Sequence, residues 1–234
     1  LVDPQKRIPK EFPLDIEIVF EDDYLLVVNK PSGIVVSGNQ FRTLENAMVN
    51  STKLSTQADA LKWAKPVHRL DAATSGLVLF AKSAEAQRKL MMLFETKKIK
   101  KKYRAVVQGQ PDASAVINEP IDGKASVSKL RLIETVNSLK NDKISLVELS
   151  PETGRTHQLR IHCTHIGHPI VGDKLHGEDG NIMNHKGLFL AAVSLSFQHP
   201  ITNEAMVIEI NQPDKFDALL KREEAWYGRI RIEN

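Results

Sequence analysis

The chain has 234 residues, 41% hydrophobic and 26% charged, with a net charge of +3, which is enough for one domain or two closely joined halves with an ample core. No apolar run approaches the roughly 20 residues that span a bilayer, and the polar start Leu1-Val2-Asp3-Pro4-Gln5-Lys6-Arg7 has no secretory pattern. A single cysteine, Cys163, excludes an intrachain disulfide and fits a reducing, cytoplasmic setting.

Ile16-Glu17-Ile18-Val19-Phe20, an acidic turn, and Leu25-Leu26-Val27-Val28 read as strand, turn, strand. Residues 43–63 read as helix, weakest over 51–56. Leu77-Val78-Leu79-Phe80-Ala81 reads as a strand, and Ser83 as the N-cap of a helix whose apolar face is Ala86, Leu90, Leu93 and Phe94. Tyr103-Arg104-Ala105-Val106-Val107 resumes a strand, and residues 110–128, with Pro111, Pro120 and Gly123, form a surface excursion. Strands follow over 130–136 and 144–149. Thr156 is placed to cap a helix that turns Leu159, Cys163 and Ile166 inward, with Gly167 as its C′ residue. Two further strands, 188–197 and 205–210, precede a helix over 214–226. Strands outnumber helices without alternating regularly, which predicts an α+β architecture.

The stretch Val67-His68-Arg69-Leu70-Asp71-Ala72-Ala73-Thr74-Ser75-Gly76 is the most informative. A carboxylate in a turn of small hydroxyl and glycine residues, followed at once by a strand, is a fair place for a nucleophile, although an aspartate in a turn is usually a backbone cap. Lys97-Lys98-Ile99-Lys100-Lys101-Lys102 packs five ammonium groups into six positions, suited to steering a polyanion or to a solvated helix end. Cys163 reads as a small buried filler. His157, His162, His165 and His168 do not share one helix face and lack cysteine partners, so no metal is expected.

Residues 67–76 closely resemble the H-R-L-D-x-x-T-S-G motif of the RluA-like RNA pseudouridine synthases. Asn29-Lys30-Pro31-Ser32-Gly33 resembles that family's K-P-x-G motif, and Lys101-Lys102-Tyr103 its K-K-x-Y region. Gly154-Arg155-Thr156-His157-Gln158-Leu159-Arg160-Ile161-His162 is similar to its G-R-T-H-Q-L-R-x-H motif, and Gly167-His168-Pro169-Ile170-Val171-Gly172-Asp173 to the G-H-P-x-x-G-D that follows. The blocks stand in family order over most of the chain.

The resemblance implies the pseudouridine synthase fold: a large, mostly antiparallel mixed sheet flanked by helices, with a central catalytic cleft. It divides the chain into an N-terminal extension, 1–15, too short for an S4-type RNA-binding domain, and a catalytic domain, 16–234. The implied activity is isomerisation of a uridine in structured rRNA or tRNA, with RNA as partner, no organic cofactor, no metal, no membrane and a monomeric chain. Asp71 would be the nucleophile, by addition at C1′ or by assisting a glycal route. Arg160 would pair with it and favour its ionised form. Tyr103 would stack on the uracil or relay its C5 proton, and Ile161 would pack on the base. Arg69 would take the place of the extruded nucleotide, unless it makes a structural salt bridge behind the loop. Lys30 is expected at the cleft edge, where it contacts phosphate or is a plain turn lysine. His68 supports the loop rather than acting as a base, and His68 and Thr74 are grouped with the substrate contacts. Two other readings compete: a non-catalytic RNA-binding module on the same fold, and a carboxylate-dependent nucleoside or glycoside hydrolase, for which no second carboxylate stands within the motifs.

Overall fold

The computed structural model describes residues 10–177 and 186–233. The architecture is α+β, with a large, mostly antiparallel sheet and few helices. The chain divides into two compact units, residues 1–99 with 196–208, and residues 100–195 with 209–234.

In the first unit, β1 (Glu17–Glu21) and β2 (Leu25–Lys30) form an antiparallel hairpin. The Asp22 carboxylate closes its turn by accepting the backbone N–H groups of Tyr24 and Leu25 at 2.7 and 2.8 Å. β2 pairs with β4 (Ser75–Ser83), from Leu25 opposite Ala81 to Lys30 opposite Gly76. Leu25 to Val28 and Leu77 to Ala81 are wholly buried, so each strand reads as an unbroken apolar run. β3 (Ala60–Pro66) also pairs antiparallel with β4. The Ser83 hydroxyl caps α2 (Ala84–Glu95) by accepting the Ala86 N–H, as the sequence predicts.

The helix expected over 43–63 is not there. Only α1 (Leu44–Ala47) is helical, capped by Thr43, and β3 occupies the later part. The physical reason lies in residues 50–56, rich in Asn, Ser and Thr, whose polar groups bond elsewhere. The Thr56 N–H and hydroxyl and the Gln57 amide all donate to the Asp23 carboxylate, at 2.5–2.7 Å. These donors, Gln57 foremost, hold the Asp23 carboxyl down at about 2.

In the second unit, β5 (Lys100–Gln108) pairs with β8 (Asp142–Pro151), β8 with β7 (Ser128–Ser138), and β7 with β6 (Ser114–Ile117), all antiparallel. The excursion expected over 110–128 therefore contains an edge strand. On the other side of β5 lies β9 (Leu190–Gln198), whose last residues belong to the first unit. β10 (Ala205–Glu209) pairs with β9.

α3 (Gln158–His165) ends as predicted, with Gly167 at φ +78 donating its N–H to the Thr164 carbonyl. Its start differs from expectation: His157, not Thr156, is the N-cap, in the left-handed region at φ +53, and no side chain caps it. Gln158 explains the departure. Its buried amide reaches back to accept the Arg155 N–H at 3.0 Å and donates to the Val127 carbonyl and the Ser128 hydroxyl at 2.9 Å. α4 (Asp214–Glu233) is longer than predicted, burying Phe216, Leu219 and Leu220. Glu223 accepts from the Ser138 hydroxyl at 2.9 Å and ties α4 to β7. Among the described residues no helix is long and apolar enough to cross a membrane.

Candidate active site

The first unit holds Lys30, His68, Arg69, Asp71 and Thr74; the second holds Tyr103, Arg160 and Ile161. Asp71 sits in the loop between β3 and β4, partly exposed, with its carbonyl accepting the Thr74 N–H at 3.1 Å to close the turn. Arg69 is exposed on the same loop. The His68 Nε2 accepts the Leu79 N–H of β4 at 3.0 Å, and its ring lies 4.7 Å from that of Phe94.

Lys30 departs from the sequence expectation. Its side chain is fully buried, among the largest in the core, and does not stand at a cleft edge for phosphate. Nζ donates to the carbonyls of Pro31, Ile34 and Ala72 at 2.9, 2.8 and 3.2 Å. The Ala72 carbonyl, next to the nucleophile candidate, also accepts the N–H of Gly33 at 2.7 Å, and Gly33 occupies φ +93, a conformation that a side chain disfavours. Burial lowers the Lys30 ammonium to about 8, and the nearby negative charge of Asp71 acts the other way. Thr74 is also inside the loop rather than on its surface, 2% exposed, with its hydroxyl oxygen buried and lacking a hydrogen-bond partner. A direct substrate contact by Lys30 or Thr74 does not fit that burial; both belong to the scaffold beneath Asp71.

In the second unit Tyr103 is buried on β5, opposite Leu149. Arg160 lies on α3 and is buried. Its Nε and Nη2 donate to the two oxygens of Asp173 at 2.7 and 2.6 Å, a forked pair that fixes the guanidinium plane. Burial by itself would raise the Asp173 carboxyl. The Arg160 fork and the N–H groups of Leu175 and His176 outweigh it and hold the carboxyl below its ordinary range. Asp173 follows Gly172, at φ +80, where a Cβ would collide with the Gly187 carbonyl oxygen. The motif around Asp173 assigns it no role in the sequence; the signal for one is an acid closing a glycine turn soon after a helical arginine.

Ile161 is half-buried beside Arg160. His157 and His176 share a ring-to-ring hydrogen bond of 3.0 Å. Cys163 is fully buried, and its thiol is pushed up to about 12 by burial with the Asp173 charge adding to it. Among the described residues no group of three or more His, Cys, Asp or Glu is gathered as metal ligands.

Chemically, the first unit offers a carboxylate on a loop pinned from beneath, and the second a rigidly held guanidinium and a buried phenol. The family model described as RNA pseudouridylate synthase matches residues 24–165. The ribosomal large subunit pseudouridine synthase C of Vibrio parahaemolyticus is 36% identical, over 94% of this chain and 73% of its own length. The tRNA pseudouridine synthase C of the same organism is 31% identical, over 90% of this chain and 96% of its own. The dual-specificity RNA pseudouridine synthase RluA of Haemophilus influenzae is 36% identical, over 82% and 90%. Among solved structures, human RNA pseudouridylate synthase domain containing 1 superposes with a TM-score of 0.71 at 26% identity, covering 85% of this chain and 84% of that one. With the motif that carries Asp71 inside the matched span and relatives aligned over nearly the whole chain, this protein belongs to the RNA pseudouridine synthase family and is an enzyme of that kind.

Proposed function

We propose that the chain isomerises a specific uridine in a structured rRNA or tRNA to pseudouridine, with Asp71 as the nucleophile. The observation that carries this reading is the construction of the Asp71 loop. The carbonyl beside the carboxylate is held from two sides, by Gly33 and by the buried Lys30, so the side chain is presented on a fixed support. The names of the relatives, which include ribosomal, transfer and dual-specificity synthases, support the substrate class.

Isomerisation breaks the bond from C1′ to N1, turns the uracil, and joins C1′ to C5, with the C5 proton lost and one taken up at N1. An ionised carboxylate supplies the attack on the sugar and is released from C1′ as the bond to C5 forms. Arg160, fixed by Asp173, offers a cation of settled orientation for the negative charge that the nucleophile or the departing uracil carries. Tyr103 offers a stacking face and Ile161 an apolar one. A uridine inside folded RNA must swing out to react, at a cost of a few kcal/mol. The exposed, permanently charged Arg69 is suited to fill the vacated place.

The test is tritium release from 5-³H-uracil-labelled ribosomal and transfer RNA, with hydrolysates analysed for pseudouridine. Wild type releases tritium and forms pseudouridine; Asp71→Asn does neither, a loss of about a thousandfold or more. Equal release by the two proteins sinks the assignment. Free uracil in place of pseudouridine would make the chain a hydrolase.

A further inference from the structure

Within the first unit, residues 37–42 form an exposed loop that follows the Lys30 to Gly33 turn. It is not loose at its base. Val35 and Thr43 bridge its two ends, Leu44 and Glu45 donate to the Val35 and Val36 carbonyls at 2.9 Å, and the Asn46 amide donates to the Phe41 carbonyl at 2.7 Å. On this clamped loop Phe41 is 46% exposed, an uncommon position for a phenylalanine. Phe12 meets its ring edge-on at 5.5 Å, and the Phe12 N–H is anchored to the Asn46 carbonyl. Two exposed cations bracket the pair: Lys10 Nζ lies 5.7 Å from the centre of the Phe41 ring, and the Arg42 guanidinium 5.5 Å from that of Phe12.

We propose that Phe41, Phe12, Lys10 and Arg42 form a docking platform for unpaired nucleotides of the RNA substrate, those that flank the target uridine. Aromatic faces interleaved with cations are what a single strand needs, because every base has a face to stack and every linkage a charge to neutralise. Of the nearby acids, Glu45 is paired with Lys65 and accepts from the Trp63 indole, and the Glu11 carboxylate is turned to the Asn50 amide at 2.6 Å. The platform is also linked to the candidate nucleophile through backbone alone: the turn leading into it donates the Gly33 N–H to the Ala72 carbonyl, next to Asp71. A strand seated on Phe41 would thus bear on the same loop that presents the carboxylate. The inference deepens the RNA-modifying reading above and rests on it.

The test uses the full chain and a fluorescein-labelled single-stranded oligouridine, with binding read by anisotropy across a salt series and activity read separately by tritium release. Phe41→Ala weakens binding by roughly 5- to 150-fold, the equivalent of ~1–3 kcal/mol for one stacked base, and Phe41→Trp restores it. Arg42→Gln lowers the slope of log affinity against log salt by about 0.7, one phosphate contact on a single strand. Unchanged affinity in Phe41→Ala overturns the platform, as does failure of Trp to restore binding. If Phe41→Ala binds RNA normally but loses concentration-dependent sedimentation, the patch serves self-association instead, and the proposal is overturned. The two readings separate cleanly: a platform effect in a protein whose Asp71→Asn variant still releases tritium keeps the platform and removes the nucleophile.

Discussion

Burying the Lys30 ammonium strips it of water, and three backbone carbonyls take the place of that water. With its ionisation lowered from the ordinary 10.5 to about 8, the folded chain gives up this proton before the unfolded chain does. Between those two values the unfolded state holds more protons, so stability rises with pH, by up to about 1.4 kcal/mol per unit for one group. Urea titrations from pH 8 to 10 should show that extra slope in wild type and its absence in Lys30→Met. Asp173 is the second residue whose place decides its role. Asp173→Asn leaves the buried Arg160 guanidinium without its forked partner, which should cost about 3–5 kcal/mol in urea unfolding and lower kcat in the tritium assay more than it alters KM. The sequence singles out Asp71, Tyr103 and Arg160 as candidates because the motifs around them are long, and the structure describes the place of each. The place of Lys30 was not legible there, because a lysine before Pro31-Ser32-Gly33 has the local look of an exposed turn, and the Ala72 carbonyl that receives it is 42 residues away.

Helix α2 and the strands β2 and β4 were readable because their local chemistry agrees with their surroundings: a serine cap before an apolar stripe, and unbroken apolar runs inside a sheet. Ser83→Ala removes the acceptor for the Ala86 N–H and should lower stability by about 1 kcal/mol in thermal or urea melts, without changing RNA affinity. The segment over 43–63 failed for the opposite reason. Its apolar residues have a helical spacing at first, but Asp23, brought in from the β1–β2 hairpin, gathers the donors of Thr56 and Gln57 and holds the chain out of helix. The start of α3 departs likewise, since Gln158 ties down the chain before the helix through the Arg155 N–H while His157 carries the left-handed turn.

At the scale of the molecule, the count and order of strands gave the α+β class, and the excess of strands over helices is what the sheet shows. Division of the chain into two units had no mark in the sequence: β9 runs on from one to the other without a linker, and no change of composition signals the passage. The sole cysteine belongs to the second unit, on α3, in direct sequence company with Arg160. Because only the thiolate reacts, and burial keeps this sulfur protonated far above neutral pH, iodoacetamide should modify the native protein only very slowly and the protein in denaturant fully and fast. Intact-mass spectrometry reads the difference directly. Cys163 is thereby a natural stopwatch for this half of the molecule. The rate at which dilute alkylator accumulates under native conditions times the rare excursions in which α3 lifts away, and an RNA that steadies that helix would slow the clock without touching the sulfur.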